Sequence, residues 1–361
     1  MKVLIVKKKD SCWPFVEEQV AAIRKLNELP IGECRLEIGD RVEFVWHLIE
    51  GKGMMAYVKD AVKLMRTIRK EKPDVIHAHY GLSGYYVCLA VRLMGLGKKL
   101  PVVVTYHGSD INEEKVRKIS QKAIRMAAFN IFVSPKMLNL VATRENSAVI
   151  PCGIDWADWP EMCKEEARAS LGWRDESRES RAKSRELRAE SGTKYVLFSS
   201  DFQTEVKNPG LAKQAVALLN DANDGNDAND VELIELIGYT RAEVNRLMHA
   251  VDVCLMTSKT EGSPQFIKEA MACGCPIVTT DVGDARFVIG DTEGCYVVES
   301  REPRAESQEP RVECVVEALQ KALAFAEKHN RTNGRKRIQE LGYSNDVVAA
   351  KIKEIYLRVK N

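Results

Sequence analysis

Two glutamates in the second half of the chain, Glu261 and Glu269, flank the predicted start of a helix. Between them, Ser263 is a favourable residue for capping a helix N-terminus, and Pro264 suits the first helical position. The helix is expected to stop at Gly274, because glycine is a common residue just after a helix C-terminus. The sequence therefore places Glu261 in the loop before the helix and Glu269 about one and a half turns inside it.

This arrangement fits the binding of a phosphorylated sugar compound. A helix N-terminus offers free N–H groups and a partial positive charge, which suit a diphosphate group. Gly262 lets the backbone approach a ligand closely. The carboxylate before the helix can accept hydrogen bonds from sugar hydroxyls, and the one inside it can reach a ribose diol, as acidic residues do in dinucleotide-binding folds. The spacing alone also fits two surface glutamates near a helix start, where acids are favoured in any case.

The elements that must position these residues follow an alternating pattern. The chain has 361 residues, more than one hydrophobic core usually contains. Short β-branched runs such as Val3–Val6 and Val102–Tyr106 alternate with longer segments of helical apolar spacing, and the alternation resumes at Tyr195–Phe198. Such a pattern gives parallel sheets with helices on both faces. We therefore predict an α/β protein of two Rossmann-like, doubly wound domains, residues 1–155 and 156–342, and a last helix within 343–361.

Three polar stretches interrupt this pattern, at residues 174–194, 220–230 and 300–311. They repeat short runs such as Ser-Arg-Glu and Asn-Asp-Ala-Asn-Asp. Because low-complexity polar sequence cannot bury a core, we expect these inserts to be mobile surface loops.

Charge and cysteine content argue against several classes of protein. The 54 basic and 52 acidic residues give a formal net charge of +2, whereas a dedicated nucleic-acid binder normally has a strong basic excess. The ten cysteines contain no C-x-x-C pair, so we expect reduced core thiols in a reducing compartment rather than disulfides or metal ligands. The N-terminal apolar run is too short for a signal peptide, and no segment has the length of a membrane span. We therefore expect a cytoplasmic protein.

The residues around the two glutamates resemble a known family signature. Glu261 and Glu269 match the E-x7-E motif of retaining glycosyltransferases with the GT-B fold, and the run to Val282 resembles family 4 (glycosyl transferases group 1) in particular. Residues 73–79, 105–110 and 149–155 resemble further segments of that family. The resemblance covers nearly the whole chain except the inserts. It implies a GT-B architecture, with two Rossmann-like domains facing a central cleft and a C-terminal helix that crosses back to the N-terminal domain.

The resemblance assigns a role to each candidate residue. Glu261 would hold hydroxyls of the donor sugar, and Glu269 would hold the ribose of the nucleotide. His107, from the N-terminal domain, would contact the transferred sugar, and Lys207 would neutralise the diphosphate. Backbone contacts to the sugar and phosphates would come from Gly262, Ser263, Pro264 and Gln265.

The histidines also have plainer interpretations. From the residues alone, His107 followed by glycine can be a turn after a strand, although strand ends are where ligands bind in open α/β sheets. For His77 and His79, a core or turn role is favoured over contact with substrate.

Two positions depart from the family pattern. The arginine expected five or six residues before Lys207 is replaced by Phe202 and Asp201. The glycine-rich turn expected after the first strand is replaced by the basic run 7–15, which fits a solvated surface better than a phosphate or acceptor site. One phosphate-binding group is therefore missing or supplied from elsewhere in the chain.

The function implied by the resemblance is that of an EC 2.4 glycosyltransferase. It would move a sugar, with retention of configuration, from a nucleotide-sugar donor to a hydroxyl of a glycan or lipid-linked acceptor, in bacterial-like synthesis of surface polysaccharide or glycolipid. The donor is a co-substrate, and we expect neither cofactor nor metal, because Lys207 and the helix dipole can stabilise the leaving diphosphate and the sequence has no Asp-x-Asp motif. Two alternatives stay open: a GT-B sugar-nucleotide epimerase, which would turn over the donor alone, and a relative that binds sugar nucleotide without catalysis.

Residues 54–70 form a predicted basic amphipathic helix. Its apolar residues at helical spacing are Val58, Ala61, Val62, Met65 and Ile68, and basic residues surround them. Such a helix can lie on an anionic membrane, here its inner face, and the lipid-linked acceptors of many relatives favour that interpretation. The same pattern equally fits a helix that covers the sheet and turns a solvated basic face outward.

Overall fold

A computed structural model describes residues 1–9, 14–28, 41–51, 53–141, 145–173, 193–222, 230–299 and 311–361. The described residues form two compact units. The first comprises Met1–Asp155, Glu261–Ser263 and Tyr343–Asn361, and the second comprises Trp156–Thr260 and Pro264–Gly342. The predicted inserts fall outside the described residues except for a few positions at their edges, as does most of the basic run 7–15 beyond Lys9.

The first unit is built on a six-stranded parallel sheet of order β2-β1-β3-β4-β5-β6. Its strands are β1 Lys2–Lys8, β2 Glu43–Ile49, β3 Val75–His79, β4 Val102–Tyr106, β5 Phe129–Phe132 and β6 Ser147–Val149. Its helices are α1 Phe15–Leu26, α2 Gly53–Glu71, α3 Gly81–Leu93, α4 Ser109–Asn112, α5 Glu114–Met126 and α6 Pro135–Asn139. The central strands are buried on both faces, which explains why they appear in the sequence as continuous apolar runs.

The second unit contains a five-stranded parallel sheet of order β11-β10-β9-β7-β8. Its strands are β7 Lys194–Phe198, β8 Val231–Ile234, β9 Val253–Met256, β10 Ile277–Thr280 and β11 Cys295–Val298. Its helices are α7 Lys164–Ser170, α8 Pro209–Asp221, α9 Arg241–Ala250, α10 Gln265–Ala272, α11 Ala285–Ile289, α12 Val312–His329 and α13 Gly334–Glu340, with a 3-10 turn at Glu205–Lys207. The predicted α/β class, with two doubly wound parallel-sheet units, is confirmed.

The last helix, α14 Asn345–Lys360, belongs to the first unit. Ser344 caps it by accepting a hydrogen bond from the N–H of Val347 at 3.4 Å. Its inner face joins the apolar cluster under β1, and the hydroxyl of the buried Tyr356 lies 2.6 Å from Nδ1 of His77 in β3. The chain therefore returns to its N-terminal unit, as the sequence analysis expected.

Candidate functional site

The second sheet has a topological switch point beside β7. The chain passes from β7 to β8 on one side and then to β9 on the other, so the loops after β7 and β9 diverge. In open α/β sheets, ligands bind outside the carboxyl ends of the strands at such a point. The loop after β7 contains Lys207, and the loop after β9 contains Glu261 and leads into α10. The topology therefore brings these two loops to the same edge of the sheet.

Hydrogen bonds tie the Lys207 turn to the loop after β9. The hydroxyl of Thr257 donates to the carbonyl oxygens of Lys207 and Asn208, at 3.0 and 2.8 Å. The N–H of Lys259 donates to the carbonyl of Val206 at 2.9 Å. The turn ends at Asn208, whose left-handed backbone (φ 54°) leads into Pro209, the first residue of α8. Lys207 is therefore held, partly buried, next to the segment that precedes α10.

The helix after the loop begins one residue later than the sequence predicted. Pro264 occupies the position before the helix with an extended backbone (ψ 118°), and α10 starts at Gln265. Ser263 is therefore not the capping residue, and the prediction that Pro264 is the first helical position is wrong, because its extended ψ angle keeps it out of the helix. The first N–H groups of α10 are still without partners in the helix itself, as at any helix start.

Glu269 lies inside α10 and is nearly fully buried, with 7% of its surface exposed. Its Oε1 accepts a hydrogen bond from Nη1 of Arg241, the first residue of α9, at 2.6 Å. Burial raises the pKa of the Glu269 carboxyl above its usual value, and the neighbouring Arg241 opposes that shift. Arg241 is not among the residues that the sequence predicts for the site, and no local signal indicates it, because Arg241 and Glu269 are far apart in the chain.

The segment Glu261–Ser263 packs with the first unit, although its neighbours in sequence belong to the second. The side-chain amide of Asn112 donates to the carbonyl of Glu261 at 2.8 Å. A Cβ atom added at Gly262 would overlap the carbonyl group of His107, so a side chain cannot be accommodated there without a shift of backbone. Within the predicted run, Gly262 and Pro264 are buried, whereas Glu261, Ser263 and Gln265 are partly buried.

His107 follows β4 in the first unit and lies among aromatic rings. The ring centroids of Phe15 and Tyr80 are 4.7 and 4.8 Å from that of His107. Its Nε2 lies 3.1 Å from Nδ1 of His79, at the end of β3. Burial lowers the pKa of His107 to about 3 and also lowers that of His79, so both rings are neutral at neutral pH.

His77 and His79 differ in their partners. His77 has core partners on both ring nitrogens, with the hydroxyls of Thr105 at 2.7 Å and Tyr356 at 2.6 Å. His79 instead contacts the candidate residue His107 directly. The core role favoured by the sequence therefore describes His77. The contact of His79 with His107 could not be predicted from the sequence, because only the pairing of β3 with β4 creates it.

A buried aspartate shapes the loop that follows β4. The carboxylate of Asp110 accepts hydrogen bonds from the N–H groups of Gly81, His107 and Gly108, at 3.0, 3.1 and 2.9 Å. Burial raises the pKa of Asp110 to about 6, although these hydrogen bonds oppose the shift. The Asp110 side chain therefore holds the backbone of His107 and Gly108 in position.

The positions where the family has arginine form a local turn. The carboxylate of Asp201 accepts hydrogen bonds from the N–H of Gln203 and the hydroxyl of Thr204, both at 2.8 Å, and these bonds lower its pKa. The ring of Phe202 lies beneath the ammonium group of Lys213, which is 4.1 Å from the ring centroid. An ionised acid and a covered aromatic ring thus stand where the expected phosphate-binding arginine would be.

Helix α2 divides the predicted apolar stripe between two surfaces. Leu64 and Ile68 are buried in the core of the first unit. Val58 and Val62 are instead 62% and 56% exposed, and Met55 joins them on the outer face. The predicted single apolar face is therefore corrected to an inner row that covers the sheet and an outer row that faces solvent.

Among the described residues, no helix combines the length and apolar character that crossing a membrane requires.

Two protein-family models match the chain. The model described as Glycosyltransferase Family 4 matches residues 28–157, and the model described as Glycosyl transferases group 1 matches residues 193–309. Together they match more than two thirds of the chain.

One curated relative matches part of the chain, and two solved structures share its fold. The chain is 26% identical over 242 residues to the putative teichuronic acid biosynthesis glycosyltransferase TuaC of Bacillus subtilis, a match that covers 64% of this chain but only 59% of TuaC. The structure of this chain is similar to that of sucrose-phosphate synthase from Thermosynechococcus elongatus, with a TM-score of 0.66, 17% identity and 99% of each chain covered. It is also similar to HepE of Anabaena in complex with UDP-glucose, with a TM-score of 0.66, 14% identity and 98% of each chain covered. The chain therefore has the GT-B fold and belongs to the glycosyltransferases of group 1, of the family 4 type.

Proposed function

We propose that this protein transfers a sugar from a nucleotide sugar to a hydroxyl of a glycan or lipid-linked acceptor, with retention of configuration, in the synthesis of a surface polysaccharide or glycolipid. The observation that carries the proposal is the buried carboxylate of Glu269, the fifth residue of α10, in the helix that follows β9 at the switch point of the second sheet. A buried carboxylate is costly unless its oxygens have partners, and the hydrogen bond from Arg241 reaches only Oε1 of Glu269. The UDP-glucose bound to HepE and the teichuronic acid role named for TuaC support this class of donor and product.

The donor would bind through its nucleoside diphosphate. The hydroxyls of the ribose would donate to Glu269, and the diphosphate would rest on the N–H groups at the start of α10. Lys207, which hydrogen bonds hold beside the preceding loop, would offset the phosphate charge. Glu261 would accept hydrogen bonds from the sugar hydroxyls, while the backbone of Gly262, Ser263, Pro264 and Gln265 contacts sugar and phosphate.

In the reaction, the bond between the anomeric carbon and the phosphate oxygen breaks, and its electron pair stays on that oxygen. Preorganised dipoles and cations stabilise the charge that develops on the leaving diphosphate, which is usually the largest contribution to catalysis. The acceptor oxygen forms a bond to the anomeric carbon on the same face, and its proton moves to the departing phosphate oxygen. His107 acts here as a neutral ring that hydrogen bonds the sugar, because burial holds its pKa far below neutral pH. No step in this scheme requires a metal ion.

The acceptor would be reached at a membrane surface. The outer row of α2, Met55, Val58 and Val62, is apolar and exposed. Lys59, Lys63 and Arg66 lie on the same helix and are exposed as well. Exposed apolar side chains flanked by basic residues favour peripheral binding to anionic lipid. We therefore propose a cytoplasmic protein in peripheral contact with the inner face of the membrane.

The reaction is tested by incubating the purified protein with UDP-, GDP- and ADP-sugars and a mixture of lipid-linked and oligosaccharide acceptors. A glycosyltransferase releases nucleoside diphosphate in proportion to acceptor, and the anomeric proton coupling of the product, measured by NMR, matches that of the donor. An epimerase would convert the donor without depending on an acceptor, and a non-catalytic relative would bind the donor without turnover. Either of these results, or an inverted product, would contradict the proposal.

A further inference from the structure

The Glu269 carboxylate has a different environment at each of its oxygens. Oε1 accepts the 2.6 Å hydrogen bond from Arg241. In the part of the chain that the structure describes, no hydrogen bond reaches Oε2, although the side chain is 90% buried. One oxygen is therefore fixed, and the other is available to a ligand.

Arg241 is itself held in a defined position. It is the first residue of α9, whose start carries a reciprocal cap: Thr240 and Glu243 each accept a hydrogen bond from the backbone N–H of the other. The guanidinium carbon lies 5.2 Å from the ring centroid of Trp159, which is fully buried. An arginine whose guanidinium lies over an indole ring and donates to a carboxylate loses little further freedom when a ligand binds.

We propose that Arg241 positions Glu269 for the nucleotide, holding Oε1 so that Oε2 accepts a hydrogen bond from a ribose hydroxyl. The inference rests on the proposed function, since it deepens the role of Glu269 in donor binding. Arg241 is then a positioning residue that sets the preference for ribose over deoxyribose.

The charges around Glu269 agree with this role. Burial raises the pKa of the carboxyl, Arg241 and Lys268 lower it, and Asp158 raises it. Removing the arginine would therefore favour the protonated carboxyl, which would donate a hydrogen bond from one of its oxygens. A ribose hydroxyl would then meet a weaker acceptor, because hydrogen bonds to charged groups are stronger than those between neutral groups.

The test compares ribose with 2′-deoxyribose ligands by isothermal titration calorimetry. The probes are UDP with dUDP and GDP with dGDP. The variants are Arg241→Gln, Glu269→Gln and, as matched control on the same helix, Arg246→Gln, which replaces a partly buried arginine whose Nε donates to the carbonyl of Ala242. In the wild type, the ribose form should bind about 10- to 100-fold more tightly, the effect of one hydrogen bond to a charged group. The ratio should fall close to one in Arg241→Gln and Glu269→Gln, and should be kept in Arg246→Gln.

The outcomes separate the two proposals. If the wild type shows no preference for ribose, or Glu269→Gln keeps it, the assignment of Glu269 to the ribose fails. If Glu269→Gln loses the preference and a folded Arg241→Gln keeps it, the positioning role of Arg241 is overturned. Arg241→Lys retains a charge beside the buried acid and replaces the glutamine variant if that one does not fold. Its less directional ammonium group should lower the ratio at least threefold, and an unchanged ratio would overturn the inference equally.

Discussion

Nδ1 of His79 lies 3.1 Å from Nε2 of His107, which joins the end of β3 to the loop after β4. His77 lies two residues before His79 in β3, on the same face of the sheet, and the centroids of these two rings are 4.4 Å apart. Three imidazole rings therefore share a small region of the first unit. Protonating any of them would place a positive charge in that region, and among the described residues no carboxylate is hydrogen-bonded to any of the three rings.

The first prediction concerns stability in acid. Burial lowers the pKa of His77 and of His107 to about 3 from 6.5, and also lowers that of His79. The unfolded chain therefore binds more protons than the folded one between about pH 3 and 6.5. The contribution of these histidines to the free energy of unfolding should be complete above pH 6.5 and decrease as the pH falls below it. Each ring contributes up to about 1.4 kcal/mol per pH unit. Asp110, whose pKa is raised to about 6, partly offsets this loss between about pH 4 and 6.

Urea unfolding at several pH values checks this prediction. His79→Phe should reduce the slope of unfolding free energy against pH by about one proton. His329→Gln is the control, because this ring lies on the exposed end of α12. A wild-type protein whose unfolding free energy stays constant or rises from pH 6.5 down to pH 4.5 would contradict the account.

The second prediction concerns Gly262. An alanine Cβ would overlap the carbonyl group of His107, so Gly262→Ala should shift the backbone of the loop before α10. Transfer activity should fall at least about tenfold, because a displacement of about 1 Å can cost that much or more in rate. Gly210→Ala is the control, since the atom nearest to its added Cβ is 4.0 Å away. Equal rates for both variants would show that the close approach at Gly262 has no part in function.

The third prediction concerns the outer row of α2. Sedimentation with vesicles should show binding that increases with the content of anionic lipid and decreases with salt. Reversing two charges in Lys59→Glu/Lys63→Glu should weaken binding at least about tenfold, since each basic residue near such a surface contributes about 1 kcal/mol. Lys336→Glu, an exposed lysine of the second unit, serves as the control. If vesicle binding does not depend on the content of anionic lipid, or if Lys336→Glu weakens it as much as the double variant does, the outer row of α2 is not the membrane-binding surface.

Sequence patterns predicted the buried elements of the fold best. The bounds of β4 are those expected and those of β7 differ by one residue, because buried parallel strands are continuous apolar runs. The short helices α7 and α13 were not predicted, because seven residues are too few to display a helical period. Strand β6 was missed because its three residues are partly buried and lack an apolar run.

The candidate site was predictable only where its residues are local in sequence. The run from Glu261 to Glu269 carries its own loop and helix signals, so its location could be inferred. The partners Arg241 and His79 could not be inferred, because each meets its target through the packing of α9 on α10 or the pairing of β3 with β4. The sequence likewise gave no sign that Pro264 would adopt an extended backbone.

The account depends most directly on a nucleotide bound at the start of α10 beside Glu269. Thermal melting with UDP, GDP, ADP and their sugar forms measures this binding, since a ligand at about a hundred times its dissociation constant adds about 2.7 kcal/mol to stability. We predict a higher melting temperature with at least one of these ligands, and a loss of most of that increase in Glu269→Gln. A melting temperature that none of them changes, or an equal increase in the variant, would contradict the account.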